Sequence, residues 1–206
     1  ERLYRVRGQC DPLKGESGPT YDFGDVALLP HNRELMDFLR GKGLQPYQLP
    51  LACEYVEGCN GCQGFLCAKA CKNDSARICL DVAVSCYGAQ VWDCCEVERL
   101  EATSSEVTSL RCTRHGESRI VEAGLFVLGA GALASPALLL RSASTLWPDG
   151  LANASGLVGK YLMRHFVDLY AIFTHEAPNG GGLKQVAVND FYMFGKEKFG
   201  AVQSFG

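Results

Sequence analysis

Three groups of residues have the types and spacing for chemistry. The first is the turn in LFVLGAGALASPALLLRS, residues 125–142, where Gly129, Gly131 and Ala134 satisfy G-x-G-x-x-A. Between a strand and a helix, such a turn lets backbone N–H groups approach a pyrophosphate at the helix N-terminus. The second is Cys53, Cys59, Cys62, Cys67 and Cys71. One C-x2-C pair there is a half-site for zinc, and several thiolates together can hold an iron–sulfur cluster. The third is the histidines His31, His115, His165 and His175, each with the chemistry of a general base.

Each group has a plainer reading. The glycine turn lacks the acidic residue at the end of a second strand that a dinucleotide fingerprint requires, because Asp149 falls in the turn WPDG. Gly129 and Gly131 then serve a sharp strand-to-helix turn, with Ser135 capping the helix and Pro136 in its first turn. A third reading lies between these: the turn ends the last strand of a nucleotide domain and touches a cofactor without cradling its phosphates. The cysteine cluster lacks a second C-x2-C pair, so small buried thiols account for it and no metal is assigned. His31, His115 and His175 sit in polar loops or at strand ends and form no constellation, and His165 reads as a structural, hydrogen-bonded histidine rather than a general base.

The elements that must position these residues follow from periodicity. HNRELMDFLRGKG (31–43) reads as a helix with Leu35, Met36 and Leu39 on one face, Asn32 as cap, and Gly41 or Gly43 as stop. SARICLDVAVSCY (75–87) reads as a second helix, capped by Asp74 or Ser75 and closed by Gly88. Between residues 90 and 122, three β-rich runs separated by TSS and HGE predict a meander, followed by a buried strand at 125–129 and a helix at 136–143. The opening ERLYRVRG reads as helical, and YLMRHFVDLYAIFTHE, LKQVAVNDFYMF and AVQSF read as antiparallel strands. The period changes character near residue 158, which places a domain boundary there.

Composition narrows the classes. The chain has 206 residues, 47% hydrophobic and 21% charged, with a net charge of −3, so no basic stripe invites nucleic acid. The apolar run at 125–140 is too short and too rich in glycine and proline to span a membrane. Eleven cysteines with long periodic segments read as mostly reduced thiols, which favours a cytoplasmic setting, although no targeting statement follows from a chain beginning at Glu1. Asn73-Asp-Ser75 and Asn153-Ala-Ser155 fit the glycosylation pattern.

GAGALASPALLLRS resembles the second signature of the glucose–methanol–choline (GMC) flavin oxidoreductases, through Gly131, Ala132, Ser135, Pro136, Leu138, Leu139 and Ser142. The usual Ser-Gly at its close is Ser142-Ala143 here, and a following glycine is Thr145. GLANASGLVGKYLMRHF is similar to the segment after that signature, and GCNGCQGFLCAKACKND to a cysteine- and glycine-rich segment before it, with Lys72 in the place of the family's lysine. CEVERLEA resembles the strand whose valine meets the flavin adenine, which carries over to Val97, and ERLYRVRG resembles the stretch before the substrate-facing insertion.

The resemblance implies an α/β (α+β mixed) chain: part of an FAD-binding domain with a β-meander at 51–158, the start of an antiparallel substrate domain at 159–206, and a cover segment at 1–50. It implies FAD as cofactor, contacted by Val97, Gly129, Ala130 and Gly131. It implies oxidation of a CH–OH group of an alcohol, sugar or sterol, with the electron acceptor left open. The family's N-terminal G-x-G-x-x-G and C-terminal catalytic histidine have no counterpart in this sequence, so no catalytic residue is assigned and the chain reads as an internal fragment, inactive alone. A second reading, a metal-binding or electron-transfer module built on the cysteine cluster, and a third, a truncated product without activity, stand beside it.

Overall fold

The computed structural model describes residues 2–59, 67–172 and 184–205. It is a mixed α/β chain that divides into two units, Glu1–Ala89 with Ala171–Gly206, and Gln90–Tyr170. Among the described residues no helix is long and apolar enough to cross a membrane.

In the first unit, helix α1 spans Pro30–Gly41, with Pro30 at its first position. Asn32 does not cap it. Its side chain is buried and donates to Gln185 Oε1 at 2.9 Å, while Leu29 N–H donates to the same oxygen at 2.9 Å. The helix ends as its glycines predict: Gly43 has φ +81°, its N–H reaches Arg40 O at 2.9 Å, and Leu44 N–H reaches Leu39 O at 3.1 Å. This is the doubly bonded terminus that a left-handed glycine permits.

Strand β1, Tyr47–Gln48, pairs with β5, Val186–Val188, which pairs with β8, Val202–Gln203, all antiparallel. Val186, Ala187 and Val188 are buried, and Tyr47 and Leu49 pack on Ala187. Strands β6, Met193–Phe194, and β7, Glu197–Lys198, form a separate hairpin. Residues Ala76–Leu80 form a π-type turn that runs into α2, Asp81–Tyr87, closed by Gly88 at φ +68°. Asp74 Oδ1 accepts Arg77 N–H at 2.9 Å, so the expected acidic cap is in place.

The expected helix at ERLYRVRG is absent. Arg7 instead forms an antiparallel bridge with Leu51, through N–H···O distances of 3.0 and 2.8 Å. Gly8, at φ +139°, lies so close to the crossing chain that an added Cβ would stand 2.7 Å from Pro50 Cα. Arg5 and Arg7 both reach the Glu54 carboxylate. A two-chain ladder and an ion pair thus override the local helix propensity.

The second unit holds the expected meander, β2 (Cys95–Ala102), β3 (Val107–Arg114) and β4 (Glu117–Glu122), joined by tight turns at 103–106 and 115–116. Helix α3 spans Gly131–Arg141 and packs on β2 through Leu138, with Leu100 and Leu151 completing the buried cluster. It begins five positions before the residue expected to start it. Ser135 is therefore not a cap, and Pro136 lies inside the helix.

Two further expectations fail. The run 125–129 is not a strand: Leu125 is 79% and Val127 86% exposed, and no described strand pairs with it. Apolar content alone cannot make a strand when no ladder partner stands beside it. Residues 161–172 likewise carry no strand and are exposed throughout.

Candidate functional site

The second unit contains an apolar cavity of about 390 Å³. Its walls come from β2 and β3, from the segment before the glycine turn, and from α3 and the loop after it. Val97, Leu100, Val107, Leu128, Leu138 and Trp147 are among its lining residues. The polar turn Thr103–Glu106 forms one edge.

Val97 and Leu100 share this face for a reason that regular alternation would forbid. Residues three apart on a strand point to opposite sides. Here the pairing slips between Val97 and Arg99, which face Cys112 and Arg111, so Glu98 is an extra residue in β2. That bulge turns Val97 onto the face of Leu100. A second slip between Glu101 and Ala102 brings Val107 and Leu110 onto the same face of β3.

Ser142 fixes the helix to the sheet. Its hydroxyl is 2% exposed as a residue, donates to Leu138 O at 2.7 Å and accepts Leu100 N–H at 2.9 Å. Leu100 lies on β2, an edge strand, and this serine satisfies an N–H that β3 does not take. Arg99 Nη2 to Ala143 O at 2.6 Å and Trp147 Nε1 to Thr103 O at 2.9 Å complete the clamp.

The glycine turn borders this cavity without lining it. Gly129, Ala130 and Gly131 follow directly on Phe126–Leu128, which do line it. Gly131 has φ +80°, and a Cβ added at Gly129 or Gly131 would meet nothing within 4 Å. The backbone is thus bare on its outer side. Ala130 precedes the helix and offers no side-chain cap, so the first-turn N–H groups of α3 have no side-chain acceptor. The structure therefore brings Val97 and Leu128 to one cavity and sets Gly129, Ala130 and Gly131 at the next three positions of the chain. The bulge at Glu98 and the anchoring Ser142 carried no separate signal in periodicity, although Ser142 lies within the quoted signature.

The other candidates fall elsewhere. His165 is exposed in the irregular segment, His31 stands at the start of α1, and His115 lies 3.8 Å from Asp93 on the surface. His175 and Cys62 lie outside the described residues. Among the described residues no group of three or more His, Cys, Asp or Glu side chains is arranged to hold a metal ion. Both glycosylation triplets have buried asparagines, Asn73 at 2% and Asn153 at 8% exposure. Asn73 Nδ2 donates to Tyr4 O and Glu54 Oε1, and Asn153 spans Asp149 O and Val158 N–H.

Comparison with known proteins gives a consistent picture. The GMC oxidoreductase family model matches residues 29–167. A 2-methyl-1,2-propanediol dehydrogenase from Mycolicibacterium austroafricanum is 38% identical over 86 residues, covering 41% of this chain and 16% of that protein. A 6'''-hydroxyparomomycin C oxidase from Streptomyces lividus is 29% identical over 143 residues, covering 64% of this chain and 26% of that protein. The matched region thus spans only 16% of the length of one of these curated relatives and 26% of the other.

Proposed function

The chain belongs to the GMC oxidoreductase family, and from that membership we propose that it contributes the adenine side of an FAD site in an enzyme that oxidises the CH–OH group of an alcohol, sugar or sterol. The observation that carries this reading is the apolar cavity between β2, β3 and α3, with Val97 on its wall and a bare glycine turn at its border. A flat aromatic group such as adenine suits a cavity of about 390 Å³ lined by Val97, Leu100 and Trp147. The open outer side of Gly129 and Gly131 allows a ligand to approach the backbone without meeting a Cβ.

When bound, FAD supplies the hydride acceptor at its N5. The residues of this chain bind and orient: Val97 and Leu128 exclude water from one side of the ring pocket, and Gly129, Ala130 and Gly131 border it. No residue here is assigned the proton-accepting role. In this reading residues 51–158 belong to the FAD-binding domain, residues 159–206 open the substrate domain, and residues 1–50 form a cover. The names of the two relatives, a 2-methyl-1,2-propanediol dehydrogenase and a 6'''-hydroxyparomomycin C oxidase, support a hydroxylated substrate.

The test is nuclear magnetic resonance of the chain titrated with adenosine monophosphate or flavin mononucleotide. Adenosine monophosphate is expected to shift the Trp147 indole N–H signal with weak, millimolar affinity, and flavin mononucleotide is expected to leave it unmoved. The substitution Val97→Asp should abolish the shift. Equal shifts with the two nucleotides, or none with either, would overturn the assignment of this cavity to adenine.

A further inference from the structure

The cysteine segment has a geometry that the flavin reading does not use. Residues 52–54 and 71–73 run as a short antiparallel pair: Cys53 bridges Lys72, Glu54 N–H donates to Cys71 O at 2.8 Å, and Asn73 N–H donates to Ala52 O at 2.9 Å. From this pair the chain turns back at residues 67–70, where Ala70 N–H meets Cys67 O at 3.1 Å. Ala70 has φ +51°, a left-handed conformation that an alanine adopts only under constraint. That turn aims the Cys71 N–H at Cys67 Sγ, 3.1 Å away. The backbone N–H groups of Lys69 and Lys72, on the same turn, also act to lower the Cys67 thiol. The Cys71 N–H bonded to the Cys67 sulfur, on a turn whose neighbouring N–H groups also favour the charged form, stabilises that sulfur as a thiolate.

The remaining thiols complete the arrangement. Cys71 is 1% exposed, its Sγ reaches Lys69 O at 3.9 Å, and Cys59 and Cys67 are neighbours that raise its thiol. Cys59 is also a neighbour that raises the Cys53 thiol. Cys67 is half-buried and is the one of the Cys67–Cys71 pair that a solute can reach.

We propose that Cys67 and Cys71 are a redox-active dithiol, in which Cys67 accepts a low-molecular-weight disulfide of the glutathione class and Cys71 closes the pair to an intrachain disulfide. In the first step the Cys67 thiolate attacks one sulfur of the small disulfide. A Cys67–S–S–R bond forms, the R–S–S–R bond breaks, and one thiolate RS⁻ leaves. In the second step Cys71 attacks Cys67 Sγ, releasing a second RS⁻. The Cys71 proton passes to a departing thiolate, and the other takes a proton from water. Two protein thiols are oxidised by two electrons and the small disulfide is reduced to two thiols.

The charges around the pair favour this order. The N–H of Cys71 first, with those of Lys69 and Lys72, holds the Cys67 thiol down at about 7, and the Cys71 S–H adds to that. Burial first, then the Cys59 and Cys67 neighbours, pushes Cys71 up to about 11, so it stays protonated until Cys67 is capped. Burial also raises Cys53, and Tyr55 beside Cys53 and Cys59 is raised by burial, so neither adds a negative charge near neutral pH. The cations on the same turn are Lys69, whose Nζ donates to Glu57 O at 3.0 Å, and Lys72.

The experiment uses the purified chain with glutathione disulfide, alongside a blocked cysteine peptide of pKa about 8.5. Samples are quenched with acid, alkylated, digested without reductant and read by mass spectrometry. A thiol near 7 has more thiolate but lower intrinsic nucleophilicity. Cys67 should therefore outpace the peptide about six-fold at pH 6 and about three-fold at pH 7, and fall to about a quarter of its rate at pH 9. The product in the unmodified chain should be a Cys67–Cys71 bridge, and Cys71→Ser should instead accumulate the mixed disulfide at Cys67. A Cys67 rate that tracks the peptide at all three pH values would overturn the proposal, with no dependence on any variant. So would a bridge formed without Cys67, or a chain that holds one equivalent of zinc on these thiols and reacts only after chelation.

Discussion

Replacing Ser142 with alanine removes the one hydroxyl that ties α3 to the edge of the meander. The hydroxyl accepts Leu100 N–H and donates to Leu138 O inside a cluster where Leu100, Leu138 and Leu151 are each 5–7% exposed. The Leu138 carbonyl keeps a second donor, Ser142 N–H at 3.0 Å, so its loss is small. Leu100 N–H has no such reserve and is left buried without an acceptor. Leaving a buried donor unmade costs about 1–3 kcal/mol, so we expect Ser142→Ala to destabilise this unit by about 2 kcal/mol. Ser144 provides the control. Its hydroxyl accepts only Trp147 N–H, and that N–H also meets Ser144 O at 3.1 Å, so Ser144→Ala should cost less than about 0.5 kcal/mol. Trp92 and Trp147 both lie in the unit Gln90–Tyr170, so tryptophan fluorescence in urea reports that unit. With a slope of roughly 1 kcal/mol/M, the midpoint should fall by roughly 2 M at unchanged slope. A Ser142→Ala midpoint within about 0.5 M of the unmodified chain would refute the anchoring role.

Two shorter predictions follow from polar groups in the other unit and from the two triplets. The Glu54 carboxyl is held below its ordinary range, first by the hydrogen bond from Asn73 and then by Arg5 and Arg7. Its stabilising contribution is therefore complete above its unfolded value of about 4.3 and is lost as the pH falls through the lower folded value. Far-ultraviolet melts should show this unit losing stability below about pH 4.3, and Glu54→Gln should flatten that dependence; an unchanged profile would count against the pairing. Asn73 and Asn153 are buried and their side-chain amides are engaged, so the chain expressed through a secretory route should carry no glycan at either site, as intact mass before and after glycosidase would show.

The elements with local punctuation were legible in the sequence. TSS and HGE separate runs of the right length, and the meander formed where they said. Gly43 and Gly88 stopped two helices because a left-handed residue was needed there and only glycine takes it freely. The misreadings share one cause, which is that a distant partner outweighed a local preference. Asn32 had the chemistry of a cap but was claimed by Gln185, and Arg7 had the setting of a helix but was claimed by Leu51. The run 125–129 had the composition of a buried strand but no neighbour to pair with among the described residues. Ser135-Pro136 looked like a helix start, yet Gly131 at φ +80° had already opened α3. At the candidate site, Val97 was legible only by resemblance. Its odd spacing from Leu100 argues against a shared face until the bulge at Glu98 is seen.

The pairing of Gln48 with Val186 also sets an order of assembly. Everything from residue 49 to residue 185 must leave the ribosome before β1 meets its partner, and β8 follows later still. The meander and α3 involve only residues between 95 and 151, so their contacts are near in sequence and close early. Loop-closure entropy therefore delays the β1–β5–β8 sheet while the intervening unit is already formed. During synthesis the edge of β1 and the apolar face of Tyr47 and Leu49 wait uncovered, which makes that stretch the natural binding point for a chaperone and the first place where a slow translation pause would be felt.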